Sequence, residues 1–176
     1  MKWTVLQSEK IFDEPWFKVR REKVQLPSGH ILNDYYVLDY PKWIIVLGLT
    51  KAGQIIMVRQ YRHGLGEISY ELCAGVCDPE DKNPLASAKR EMLEETGYGA
   101  GEWEAYMTLC ANPGTHSNLS YIFLATGLEK IQEQQLEETE EITVHLFSRE
   151  EVREMLLKNE IPQALHAAAL WRWLGE

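Results

Sequence analysis

Arg90-Glu91-Met92-Leu93-Glu94-Glu95-Thr96-Gly97-Tyr98 is the stretch on which the reading of this sequence turns. It lies in a helix expected from Pro84 to Thr96. Asn83 suits the N-cap, Pro84 the first turn, and Gly97 the left-handed residue that closes the helix. At about 100° per residue, with Arg90 at 0°, Glu94 falls near 40°, Glu91 near 100° and Glu95 near 140°. Leu85, Ala86, Met92 and Leu93 fall between about 200° and 320°, with Lys89 alone intruding on that side. The acids therefore share one face and the apolar residues another. Glu91 and Glu95 are i,i+4 neighbours, close enough to bring two carboxylates to one cation, and without one they repel by a few tenths of a kcal/mol. Hard divalent ions prefer oxygen ligands, so Mg²⁺ or Mn²⁺ is the natural partner. Arg90 and Glu94 have the same spacing, which fits an orienting salt bridge. The competing reading of the helix alone is an acidic face in water.

Around this helix the pattern is β. Phe17 to Leu26 and Ile31 to Tyr40 alternate apolar with polar positions about a Pro27-Ser28-Gly29-His30 turn, giving an N-terminal hairpin. A lone hairpin is marginal and wants a covering partner. Trp43 to Thr50 and Gln54 to Gln60 form a second pair, and Ile68 to Ala74 is a short extended run. Beyond the helix, strands are expected at Trp103 to Cys110, Leu119 to Thr126 and Ile142 to Phe147. Ser148 with Glu151 makes a capping box for a helix reaching Lys158, and a last helix begins near Pro162. Strands flanking one helix, followed by two more helices, predict an α+β fold: a mixed sheet sandwiched by helices. Residues 1–40 form its N-terminal antiparallel β extension and residues 41–176 the main domain.

With 176 residues, 45% of them hydrophobic and 26% charged, the chain can build an ordinary core, which excludes a disordered or fibrous protein. Eighteen Lys and Arg against 27 Asp and Glu give a net charge of -9. That balance argues against nucleic acid and against an anionic membrane as partners. An anionic small molecule remains compatible, provided a cation or a few Arg side chains stand between the charges. Cys73, Cys77 and Cys110 form no paired framework or zinc-knuckle spacing, which fits reduced thiols in a cytoplasmic protein. No signal-peptide stretch precedes the first strands, and no apolar run approaches the ~18 residues of a membrane span.

From Gly75 to Tyr98 the sequence resembles the signature of the Nudix hydrolase family, G-x5-E-x7-R-E-U-x-E-E-x-G-U, where U is apolar or aromatic. Arg90-Glu91-Met92-Leu93-Glu94-Glu95-Thr96-Gly97-Tyr98 matches its distal half at every specified position. The proximal half is one residue longer: Asp81 takes the expected Glu place counted from Gly75, and Glu80 is the nearest glutamate. A looser similarity, to the ADP-ribose pyrophosphatase-like branch, covers most of the chain. It rests on Gln60-Tyr61-Arg62, on Glu71-Leu72-Cys73-Ala74-Gly75 ahead of the signature, and on Pro113 sixteen residues beyond Gly97.

The resemblance implies a Nudix-type α/β/α sandwich and hydrolysis of the diphosphate of a nucleoside diphosphate sugar. ADP-ribose, giving AMP and ribose 5-phosphate, leads. GDP-mannose, a UDP-sugar or a dinucleotide follow, and a nucleotide-sugar-binding module without catalysis is the rival class. It implies Mg²⁺, or Mn²⁺, held by Glu91, Glu94, Glu95 and the backbone carbonyl of Ala74, with Arg62 and Glu71 contacting substrate. The general base is expected from the loop Leu136-Glu137-Glu138-Thr139-Glu140-Glu141, with Glu138 the first choice and Glu140 the second or an extra ligand. An acidic loop in water is the plain alternative. His116 and His166 are left out as ordinary loop histidines. Trp16, Phe17, Tyr35 and Tyr36 could stack on a base, but each is expected in the core. A homodimer built on the hairpin is expected from the same resemblance.

Overall fold

A computed structural model describes residues 1–176, which divide into two compact units. The smaller contains residues 1–42 and 110–119. Its sheet is an antiparallel meander, β1 (Thr4–Glu14), β2 (Phe17–Gln25) and β3 (Ile31–Leu38). The β2–β3 turn closes on Gly29 at φ +89°, a conformation that favours glycine. Residues 110–119 join this unit through Leu38, whose N–H donates to the Thr115 carbonyl and whose carbonyl accepts from the Ser117 N–H.

The hairpin foreseen from the sequence thus gains a third strand. Two register shifts in β1, between Val5 and Gln7 and between Lys10 and Phe12, break the two-residue alternation that would have revealed it. The aromatic residues expected in the core are also placed otherwise. Trp16 is 70% exposed, Phe17 and Tyr36 are exposed too, and Tyr35 is half-buried. A three-stranded sheet has no second layer of its own to cover them.

The larger unit holds an eight-stranded mixed sheet. Its elements are β4 (Trp43–Thr50), β5 (Ile55–Arg62), β6 (Glu67–Glu71), β7 (Cys73–Val76), β8 (Tyr98–Gly99), β9 (Glu102–Leu109), β10 (Ser120–Lys130) and β11 (Thr143–Phe147). Helix α1 (Pro84–Thr96) follows β7, and α2 (Arg149–Leu157) and α3 (Ala164–Gly175) end the chain. β10 runs parallel to β4 and every other pairing is antiparallel. Consecutive residues of β4 serve opposite layers. Ile44 and Val46 pack with Met92 and Ala88 of α1, while Ile45 and Leu47 pack with Val152 of α2 and Leu165 and Leu170 of α3. A strand covered on both faces reads as an unbroken apolar run, which is why Trp43 to Leu49 shows no alternation. Helices on both faces of a mixed sheet make the sandwich expected from the element order.

The sheet forks where it matters for the site. β6 pairs with β5 and β7 with β4, so the segment predicted as one extended run changes partners at Leu72. There the Leu72 N–H, lacking a strand neighbour, donates to Nδ1 of His166 at 3.2 Å. The helix ends behave as their sequences dictate. Asn83 Oδ1 accepts from the Ala86 N–H at 3.0 Å, and Gly97, at φ +75°, returns its N–H to the Leu93 carbonyl. Ser148 and Glu151 form the capping box of α2. The last helix starts at Ala164, slightly later than expected, because the Gln163 side chain caps it.

Candidate active site

The site is built where α1 lies along β7. The buried face of the helix comprises Ser87, Ala88, Met92, Glu95 and Thr96, so Glu95 lies on the packed side and not in water. It is 4% exposed, its Oε2 accepts from the Ala74 N–H at 3.3 Å, and the Cys73 thiol hydrogen-bonds to it. Burial pushes its carboxyl up to about 8; Cys73 and the Ala74 N–H oppose that rise, while the charges of Glu91 and Glu140 add to it. Glu91 lies over Gly75, whose missing side chain makes the room. Its carboxyl is raised by burial, against the pull of Arg90 and with the push of Glu94 and Glu140. The acidic face in water, one of the two readings of the helix, is therefore not what these residues form.

Arg90 gathers the remaining acids. It reaches Glu94 at 2.8 Å, Glu91 at 3.0 Å and Asp81 at 3.2 Å. Asp81, not Glu80, is thus the loop acid that meets the helix. The Glu80 side chain is exposed, and its backbone N–H donates to Asp78.

On the other side of the fork, Arg62 and Glu71 form a bidentate pair, Nε to Oε1 at 2.9 Å and Nη2 to Oε2 at 2.6 Å. Glu71 is 2% exposed and also accepts from the Ser69 hydroxyl at 3.1 Å. Burial works against its charge, but the guanidinium outweighs it and holds the carboxyl below its ordinary range. Arg62 is raised chiefly by Glu71, and the Glu95 charge also reaches it, so the ion pair and the helix acids share one electrostatic environment.

The acidic loop is brought to the same end of α1. Gln135 donates its N–H to the Glu94 carbonyl at 2.9 Å, and Glu140 is folded back so that its Oε2 accepts from the Glu137 N–H at 3.0 Å. Glu140 is half-buried and its charge bears on Glu91, Glu95 and Cys73. Glu138 is exposed. The structure therefore assembles Ala74, Glu91, Glu94, Glu95, Arg62, Glu71 and Glu140 about one fork, with Glu138 on the loop beside them.

Three contributors were not legible beforehand. Cys73 faces Glu95 from the strand, a placement no spacing rule signals. His166 lies on α3, 2% exposed, instead of in a loop, and burial depresses its imidazole to about 4. Gln134 joins the acidic loop to the helix end. His116, by contrast, packs edge-on against Tyr40 in the smaller unit.

Glu91, Glu94, Glu95 and the Ala74 carbonyl offer oxygen alone, the donor set of hard divalent cations. Buried Glu95 carries too little compensation from one N–H and one thiol, and a cation would supply the missing charge. No three acids stand at mutual ligand spacing, and Arg90 pairs with two of the helix acids, Glu91 and Glu94.

A fold of this topology, with a half-buried and a buried glutamate one turn apart beside a forked strand, defines a hydrolase of the Nudix class. Residues 40–169 match the NUDIX domain and residues 3–38 the nucleoside diphosphate sugar hydrolase N-terminal domain. The chain belongs to the Nudix family and is a Nudix hydrolase. Among its relatives, the ADP-ribose pyrophosphatase of Bacillus subtilis (strain 168) is 30% identical over 166 residues, covering 94% of this chain and 89% of that one. The ADP-ribose pyrophosphatase of Mycobacterium tuberculosis (strain H37Rv) is 29% identical over 166 residues, covering 94% and 80%. The GDP-mannose pyrophosphatase of Klebsiella pneumoniae is 29% identical over 127 residues, covering 66% and 63%. A crystal structure of an ADP compounds hydrolase shares the fold, with TM-score 0.86 and 21% identity over 99% of this chain and 95% of that chain. Nudix hydrolases generally use divalent metals, in keeping with the donor set described here. No helix is long and apolar enough to cross a membrane.

Proposed function

We propose that this protein hydrolyses the diphosphate of a nucleoside diphosphate sugar with Mg²⁺, and that ADP-ribose, cleaved to AMP and ribose 5-phosphate, is its substrate. The observation that carries this reading is the burial of Glu95 beside Ala74, with Glu91 one turn earlier over Gly75. Glu91, Glu95 and the Ala74 carbonyl would hold a divalent cation, which would supply charge neutralisation of the paired phosphates and acidify water there. Arg90 fixes Glu94 and Glu91 in place beside them. Arg62 presents its guanidinium to the diphosphate. Glu71 occupies Nε and Nη2, and Nη1 lies outside that pair. A loop carboxylate takes the proton of the attacking water as the water oxygen bonds to one phosphorus and the bridging oxygen leaves with the other. Glu138 and Glu140 are the two acids proposed for that step. The charge of Glu140 already reaches the helix acids.

The relatives named ADP-ribose pyrophosphatase favour ADP-ribose. Those named GDP-mannose pyrophosphatase support a second reading, in which another nucleotide sugar fills the same fork. Retention of all three helix acids with Arg90 speaks against a binding module that does not cut. A net charge of -9 speaks against nucleic acid. Cys73, Cys77 and Cys110 stand outside any disulfide, which favours the cytoplasm. Exposed Trp16, Phe17 and Tyr36 favour a homodimer.

The test is a panel of ADP-ribose, GDP-mannose and UDP-glucose with Mg²⁺ and Mn²⁺ in parallel, products separated by chromatography. AMP with ribose 5-phosphate in equal amounts, dependent on metal, is the expected outcome. Turnover of GDP-mannose in preference would move the assignment to the second reading, and no turnover of any diphosphate would overturn both.

A further inference from the structure

Both hydrogens of one side-chain amide tie the acidic loop to the metal helix. Gln134 Nε2 donates to the Glu95 carbonyl at 2.6 Å and to the Ile142 carbonyl at 3.2 Å. Glu95 is in the last turn of α1, where carbonyls lack an intrahelical partner. Ile142 is the buried residue just before β11. The neighbouring backbone completes the attachment: Gln135 donates to the Glu94 carbonyl at 2.9 Å, and Ile131 and Gln132 donate to Gly97 at 2.9 and 3.3 Å. Residues 136–141 are therefore a loop pinned at both ends, by the Gln135 N–H at its start and by the Gln134 amide at its finish. Only a group with two donors on one atom can bridge two carbonyls in this way. A glutamate has none when ionised, and an asparagine is one methylene shorter.

We propose that Gln134 is a positioning residue for the hydrolysis, holding the loop acids at a set distance from the helix turn that carries Glu94 and Glu95. This rests on the reading of the site as a diphosphate hydrolase with a loop base. The attachment puts the loop and two of the helix acids on one rigid piece of backbone, since Gln134 and Gln135 bond the main chain of the residues whose carboxylates are proposed to bind metal. Loss of the bridge frees the loop while leaving Glu91, Arg62 and Glu71 undisturbed, so chemistry should suffer and binding should not.

The experiment compares the parent protein with Gln134→Met, which is isosteric and removes the donors, and Gln134→Glu, which removes them with the amide's shape kept. Three readouts are needed: kcat and KM for ADP-ribose, the Mg²⁺ concentration giving half-maximal rate, and hydrogen exchange of residues 136–141 against that of α1. The expected result for both variants is kcat lower by roughly tenfold to a hundredfold, as for a misplaced catalytic group. KM and the half-saturating Mg²⁺ should stay within about twofold of the parent. Exchange in 136–141 should quicken while α1 stays protected. Unchanged kcat with unchanged loop exchange overturns the proposal. So does a parallel fall of kcat, metal response and α1 protection, because that reports a fold-stabilising role. If Glu138→Gln and Glu140→Gln both retain the parental kcat, the loop-base reading fails on its own. Loop exchange in the Gln134 variants then decides the attachment alone.

Discussion

Glu91 occupies the space that a side chain at Gly75 would need: a Cβ there would fall onto its carboxyl carbon and Oε1 and stand 2.7 Å from its Oε2. Strand β7 has to pass bare backbone beneath the helix for that carboxylate to lie against the sheet. Gly75→Ala should therefore expel Glu91 from its place and lower kcat by about a hundredfold, the order expected for misplacing a catalytic group by an ångström. Thermal unfolding should fall by only a few degrees, since the helix can shift its carboxylate toward Arg90. Wild-type turnover in Gly75→Ala would contradict the placement of Glu91.

Glu95 is buried with only one N–H and one thiol to offset an ionised carboxylate, so its carboxyl is pushed up to about 8 and is mostly protonated in the metal-free protein at neutral pH. Its retention costs stability there, because the unfolded chain holds the same group ionised in water. Glu95→Gln should therefore abolish turnover yet leave the metal-free protein at least as stable as the parent at neutral pH. The rise in Tm that Mg²⁺ gives the parent should shrink in the variant. Calorimetry with and without Mg²⁺ checks both halves, and an equal Mg²⁺ shift in the two proteins would remove Glu95 from the metal assignment.

His166 makes stability fall with falling pH, and Glu95, whose carboxyl is raised to about 8, works in the opposite sense over the same range. Burial lowers its folded pKa to about 4, with Glu71 opposing and Arg62 reinforcing the shift. A depressed folded value means that the unfolded chain binds the proton more readily. The stabilisation is thus complete above the unfolded value of about 6.5 and is lost progressively as pH falls from there toward 4. The loss amounts to about 3 kcal/mol, from roughly 2.5 pH units at 1.36 kcal/mol each. His166→Gln keeps an acceptor for the Leu72 N–H but does not titrate. The difference between the two denaturation midpoints should move in the variant's favour as pH falls from 7.5 to 4.5, because only the parent loses stability through this group; a constant difference would argue against a neutral buried imidazole.

What the sequence could disclose follows from which interactions are local. The caps of α1 and α2 lie within four residues of their partners, so Asn83, Gly97, Ser148 and Glu151 were readable as written. The i,i+4 relation of Arg90 to Glu94 was equally local. The helical wheel separated acids from apolar residues, yet it could not say which side the sheet would cover. Glu95 is buried because β7 offers it the Ala74 N–H, a contact 21 residues away. A longer distance in sequence hid the partner exchange at Leu72, which depends on His166, 94 residues on. β1 was missed for a different reason: its register shifts place neighbouring apolar residues out of phase, and Val5, Leu6 and Phe12 are exposed, so nothing in that strand marks an inward face.

Arg62 is held by the fork of Glu71, a geometry that Lys cannot reproduce. Arg62→Lys should raise KM for the nucleotide sugar by about tenfold, the scale of one lost charge-assisted hydrogen bond, with kcat less affected. Arg62→Ala additionally leaves Glu71 buried without its cation and should be the less stable of the two. Glu71→Gln in the Ala background should restore much of that stability. Non-additivity in this cycle, measured by denaturant unfolding, is the expected outcome, and strict additivity would show that the pair is not coupled.

The two loop acids make different predictions from the same fold. Glu140 is half-buried, and its charge raises both Glu91 and Glu95, so it already stands within electrostatic reach of the proposed metal site. Glu138 is exposed, and as base it would have to stand within the ~3 Å that proton abstraction requires. If Glu138 is the base, Glu138→Gln should lower kcat by about 10² or more with the Mg²⁺ response intact, the range for loss of a general base. If Glu140 fills that role, the large loss should move to Glu140→Gln. Should Glu140 instead act as an extra ligand, Glu140→Gln should shift the half-saturating Mg²⁺ upward, and excess metal should recover much of kcat. Metal titrations of the two variants side by side separate these outcomes, because a lost base cannot be restored by more cation whereas a weakened ligand set can.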